Sequence, residues 1–148
     1  MACPFFMPQH KFENGSWPHP ARLPLGAGWT GYCTAPGHEG AVPELSTLES
    51  GCNLGYASSC SRRPAERAWD SVRFRVTRTG ERRVVVLYSC ERDHRPATHG
   101  TLEYDITTAM WISSHHDFRI QRMAECFVES HLSGKNLASS SESEQPSE

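Results

Sequence analysis

Four cysteines, Cys3, Cys33, Cys52 and Cys60, lie in the first part of the chain, each among turn-forming residues. Thiolates bind soft and borderline metals, and four of them hold both structural zinc and cubane iron–sulfur clusters. These four are therefore the candidate metal and cofactor ligands. We expect them to hold a [4Fe–4S] cluster, with zinc as the alternative. The bland outcome is unligated or disulfide-bonded cysteines, since a free cysteine packs as a small hydrophobe. Spacing counts against every metal reading, because no short C-x₂₋₄-C knuckle occurs. Context counts for it, because a coil rich in proline and glycine needs some added constraint.

Cys3 is followed by Pro4, and in that local sense it resembles the ligand cysteines of ferredoxins. The resemblance implies a cluster, which the nearby aromatics and Leu54 would keep dry. The other two cysteines read differently. Cys126 falls at an inward or boundary position of a helical pattern and is expected to be an unligated, packed thiol. Cys90 ends a strand pattern and opens the run Cys90-Glu91-Arg92-Asp93-His94. A thiol beside an imidazole is the basis of a thiolate nucleophile. Five contiguous residues do not all face one way, however, and a charged strand end leading into a loop is the better reading. We assign no catalytic residue.

Three more patterns carry chemistry in principle. His115-His116 would diverge by roughly 100° on a helix, which makes them poor co-ligands and favours exposed first-turn positions. Gly26-Ala27-Gly28-Trp29-Thr30-Gly31 has glycines spaced like part of a phosphate loop. It lacks the preceding apolar strand and the Lys-Ser/Thr that such a loop needs, and it is rejected as a nucleotide site. Arg62, Arg63, Arg67, Arg73, Arg75, Arg78, Arg82 and Arg83 make the centre basic and could meet phosphates. Glu66, Asp70 and Glu81 dilute that patch, so nucleic acid is a minor expectation.

The elements that must position these residues follow from pattern. Residues 1–43 are dense in proline and glycine, which excludes long helices and central strands. They also carry Phe5, Phe6, Phe12, Trp17, Trp29 and Tyr32, too many aromatics for a disordered linker. Ordered coil wrapped on a core is the expectation. Residues 43–50 (PELSTLES) predict a short helix, stopped at Gly51. Val72, Phe74 and Val76 alternate with Arg73, Arg75 and Thr77, the period of a half-buried strand. Thr79-Gly80-Glu81 is a turn, and 84–88 (VVVLY) reads as a strand buried on both sides, completing a hairpin. Residues 101–106 predict a third strand, and 110–112 a fourth or an entry to the last helix. From Ser114 the period becomes helical, with Ser114 and Asp117 as a capping box and Ile120, Met123 and Phe127 on the inner face. Arg119, Gln121, Arg122, Glu125 and Glu129 are the expected solvated positions, and Gly134 the expected end. Residues 135–148 are polar and low in complexity, and read as a disordered tail.

The chain has 148 residues, 37% hydrophobic, and a formal net charge of -2. One domain, 1–134, fits that length, with a loop-rich half (1–69) and a hairpin-plus-helix half (70–134). The core is thin for this size. The balanced charge favours neither a polyanion binder nor an acidic protein. The start of the chain shows no basic leader or continuous apolar run, and no segment reaches the ~18 apolar residues of a membrane span. A cytoplasmic setting is the default, in which six cysteines do not form a disulfide framework.

The expected fold is α+β: an irregular Gly/Pro-rich first half with one short helix, a small antiparallel sheet built on a hairpin, and a C-terminal amphipathic helix. The expected function is a small metal-centre protein that works in electron transfer, with a redox partner protein, or as an accessory to a redox enzyme. The alternative is a non-catalytic interaction module, zinc-stabilised or metal-free, binding a partner protein or nucleic acid through the Arg-rich hairpin.

Overall fold

The alternating run that begins at Ser71 forms the first strand of the larger of the two antiparallel sheets found among the described residues. In the computed structural model, residues 2–11, 23–53, 69–93 and 95–144 are described. The larger sheet is a meander of β3 (Ser71–Thr79), β4 (Arg83–Arg92), β5 (Arg95–Asp105) and β6 (Met110–Ser113), each strand paired with the next. Gly80 N–H donates to the Arg83 carbonyl at 2.9 Å and closes the expected hairpin turn. The smaller sheet pairs β1 (Phe6–Lys11) with β2 (Trp29–Cys33). Together with the C-terminal helix α2 (Phe118–Glu144), the two sheets make the fold α+β, as expected.

The first half nevertheless departs from pure coil. Proline and glycine were expected to exclude central strands there, and the two strands that form are both edges of a two-stranded sheet, with Pro8 of β1 opposite Gly31 of β2. The register shifts between Pro8 and His10, and such an irregularity is where a strand tolerates proline. A Cβ on Gly31 would run into the Met7 carbonyl, so the absent side chain is what lets the strands approach.

One face of the larger sheet presents Val72, Phe74, Val84, Val86 and Leu102, all buried, to Ile120, Met123 and Ala124 of α2. Phe74 stacks on Phe127 with ring centroids 5.7 Å apart. The strand expected to be buried on both sides is buried on one: Val84 and Val86 face the helix, while Val85 and Leu87 on the other face are half-exposed. The outer face carries Arg73, Arg75 and Arg78, opposite Ser89, Leu87 and Val85.

The start of α2 corrects the capping assignment. Asp117, not Ser114, is the N-cap: its Oδ1 accepts the Arg119 N–H at 2.9 Å and its carbonyl accepts the Gln121 N–H. Gln121 Oε1 reaches back to the His115 N–H at 2.8 Å. The backbone also stays helical through Gly134, where the sequence predicts a stop. An interior glycine costs about 1 kcal/mol relative to alanine, which weakens a helix without ending it. No helix among the described residues is long and apolar enough to cross a membrane.

Candidate metal centre

The cysteine-bearing half is held against the larger sheet by its first residues. Ala2 and Val72 exchange both backbone hydrogen bonds, at 2.8 and 2.9 Å, as an isolated bridge on the free side of β3. The next residue, Cys3, donates its N–H to the Cys52 carbonyl at 3.0 Å. Two candidate ligands far apart in sequence thus lie on adjacent, directly bonded backbones. Both are buried within the same hydrophobic cluster as Phe6, Trp29 and Leu48.

Cys52 is placed by an unusual turn. The helix predicted over 43–50 is a single α-turn, α1 (Leu45–Thr47), that widens into a π-helical turn over Leu48–Cys52. Asn53 fixes its end. The Asn53 side chain accepts the Trp29 N–H at 2.9 Å and donates to the carbonyls of Trp29 and Leu48, each at 2.9 Å. Its own N–H closes on the Leu48 carbonyl at 3.0 Å. A buried amide satisfied in this way ties the turn to β2 and so sets the position of Cys52. The sequence gives no signal for this role, because Asn53 looks like any loop asparagine until Trp29 is folded against it.

Cys33 ends β2 directly opposite Phe6, so the two residues share a face of the small sheet. Phe6 in turn donates its N–H to the Cys3 carbonyl at 3.1 Å. Cys33 is therefore connected to Cys3 through Phe6, its strand partner; it is half-exposed, and its Sγ accepts the Ala35 N–H at 3.3 Å. Its backbone is bonded on the other side to the 40–41 segment, with Cys33 N–H to Ala41 and Gly40 N–H to Cys33 at 2.8 and 2.9 Å. Cys60, the fourth candidate, lies outside the described residues. Among the described residues, no group of three or more His, Cys, Asp or Glu side chains is gathered as an ion would require. The backbone thus joins Cys3 to Cys52 and pairs Cys33 with Phe6, three residues on from Cys3, and the three described thiols are not gathered into a ligand set.

The remaining sequence candidates divide cleanly. Cys126 is fully buried on the inner side of α2, and burial pushes its thiol up to about 12. Cys90 is fully buried opposite Val72, and burial likewise raises its pKa against the opposing hydrogen bond from Thr98. Neither is activated as a thiolate at neutral pH. His94 lies outside the described residues, as do Arg62, Arg63 and Arg67. Glu91 is buried and meets Arg73 at 2.6 Å.

The histidine pair is not where helical spacing put it. His115 precedes the helix and is buried, edge-on to Tyr88 at 4.7 Å and stacked on the exposed His116 at 4.4 Å. Its Nδ1 accepts the Asp117 N–H at 2.9 Å, which places the proton of the neutral ring on Nε2. Burial, then the neighbouring His116, hold its pKa below the ordinary value, against the pull of Asp117. Burial would raise Asp117, but hydrogen bonds and charge from Arg119 outweigh it and leave the carboxyl lowered. Arg119 continues over the Phe5 ring at 5.4 Å and to Thr34 Oγ1 at 3.4 Å, linking the start of α2 to the cysteine corner. Arg122, expected in solvent, instead donates to the carbonyls of Pro8 and Gln9 at 2.9 and 2.8 Å.

The chain matches no protein-family model, no curated protein and no solved structure.

Proposed function

We propose that the protein is a small metal-centre protein whose Cys3, Cys33, Cys52 and Cys60 hold a [4Fe–4S] cluster, acting in electron transfer or as an accessory to a redox enzyme. The observation that carries this reading is the direct backbone bond between Cys3 and Cys52 at a buried corner, with Cys33 paired across the small sheet to Phe6, three residues on from Cys3. The donor set suits the group: thiols at a largely apolar corner, one of them accepting a backbone N–H, the kind of contact that tunes a cluster-bound sulfur. When bound, the cluster supplies one-electron chemistry. The chain contributes position and dryness, through Phe6, Trp29 and Leu48 around the pair and Asn53 behind it. The experiment is metal analysis of protein purified without oxygen. Iron and acid-labile sulfide in roughly equal amounts, with brown colour, support the cluster. One zinc in colourless protein keeps the site and removes the redox role, and no metal removes both.

A second reading rests on a separate observation. At the far end of the hairpin, Arg78, Arg82 and Arg83, together with Glu81, Glu103 and Val85, line a hollow of about 570 Å³. Only Arg83 there has a carboxylate partner among the described residues, Glu103 at 3.2 Å. An exposed arginine group of this kind suits an acidic partner protein or a nucleic-acid backbone, the interaction-module alternative. Binding of an oligonucleotide that weakens steeply with salt, and is lost in an Arg78→Gln/Arg82→Gln variant, would support it.

A further inference from the structure

The two edges of the larger sheet are treated differently. On β3, the edge is covered at Val72 by the Ala2 bridge. On β6, at the opposite edge, no strand is paired among the described residues, and Met110 and Ile112 are 66% and 51% exposed. An uncovered edge with apolar side chains is a template for pairing with another chain.

Beside this edge runs a groove of about 510 Å³ between the sheet and α2, lined by Tyr104, Trp111, Val128, Leu132, Glu125 and Glu129. Tyr104 and Trp111 are cross-strand partners with ring centroids 5.2 Å apart and tilted by 57°. Both rings remain half-exposed. Across from them, Glu125 and Glu129 stand one helical turn apart on α2, so they share a side of the helix. Arg122 engages Glu125 at 3.3 Å from the same helix. Aromatic faces attract cations, and carboxylates at the same groove strengthen that preference.

We propose that β6 and this groove form a docking site for an extended, basic segment of a partner protein. The segment would pair along β6 as a fifth strand. Its side chains would then alternate, one set entering the groove against Trp111 and the two carboxylates, the other lying beside Met110 and Ile112. The pattern recognised is Arg or Lys at every second position with apolar residues between. Charge complementarity favours this occupant over a second copy of the chain, which would bring the same two carboxylates to the shared edge. The site involves none of the four candidate metal ligands and stands independently of the metal proposal.

The test uses the full chain and a capped hexapeptide of alternating arginine and valine, followed by amide chemical shifts. The expected result is saturable shifts confined to 110–113 and the α2 turn carrying Glu125 and Glu129, with at least tenfold weaker binding in Glu125→Gln/Glu129→Gln. An Ile112→Lys variant, which places a charge on the edge, should weaken binding without involving the groove. The proposal is overturned if a control hexapeptide, capped in the same way and alternating glutamate and valine, binds equally well, or if the shifts map elsewhere. It is also overturned if both variants bind as the parent does, or if the β6 amides report self-association with no peptide present.

Discussion

The two halves of this chain reach order by different means. In the half from Ser71 onward, a continuous ladder of strands and one helix enclose a shared apolar layer, so each residue is supported by many equivalent neighbours. In the half that carries the candidate ligands, order depends on a few particular contacts: the Ala2–Val72 bridge, the Asn53 clamp, and the Arg119 and Arg122 contacts that reach across from α2. The difference teaches where constraint is concentrated. Removing one ladder contact leaves others in place, whereas removing one clamp releases the segment it holds.

The largest stability effect expected from a single substitution lies in the well-packed half. Ile120 is fully buried between the helix and the sheet, and Ile120→Ala should cost on the order of 2–5 kcal/mol in denaturant unfolding. A loss below 1 kcal/mol would mean the helix–sheet layer is looser than the burial implies. Asn53→Ala should cost about 1–3 kcal/mol, since it strands the Trp29 N–H and carbonyl, while the Leu48 carbonyl keeps the backbone N–H of residue 53. Its effect on amide exchange should concentrate in 29–33 and 48–52; uniform loss of protection would erase the contrast between the halves.

A smaller effect depends on pH. His115 is held neutral in the fold, below its ordinary value of 6.5, so the unfolded chain takes up the proton first as pH falls. Stability should therefore decline as pH drops through about 6.5 and level off once the folded-state pKa is passed. The histidine contribution is read as the difference between the parent and His115→Gln over pH 7 to 5. An unchanged slope in the variant would place the effect on other groups. The smallest change is expected from truncation after Gly134. The segment beyond it is too polar to bury much surface, and the thermal midpoint should stay within a degree or two. A large fall would show that the end of the chain docks.

How much of this was legible in the sequence follows the same division. Val72, Phe74 and Val76 announce β3 by alternation, and Ile120, Met123 and Phe127 announce α2, because periodic burial leaves a local signature. The β1–β2 sheet leaves none, since Pro8 and Gly31 read as breakers and are reconciled only by facing each other. Arg122 reads as solvated because its partners, the carbonyls of Pro8 and Gln9, lie more than a hundred residues away. His115 likewise reads as a helix residue until Asp117 is seen to start the helix. The cysteines stand out in the sequence as thiols among turn-forming residues, but the backbone bond between Cys3 and Cys52 depends on the π-helical turn, which no spacing rule announces.

The central claim is that the sparse half is organised by thiolates at one corner. It is tested most directly by metal content in single Cys→Ser variants purified without oxygen. Ligand binding and folding are coupled in such a site, so Cys3→Ser, Cys33→Ser, Cys52→Ser and Cys60→Ser should each lose the metal and loosen the first half. Cys126→Ser, in the apolar core, should keep it. Metal retained in the Cys3 and Cys52 variants, or an equal loss in Cys126→Ser, would contradict the account.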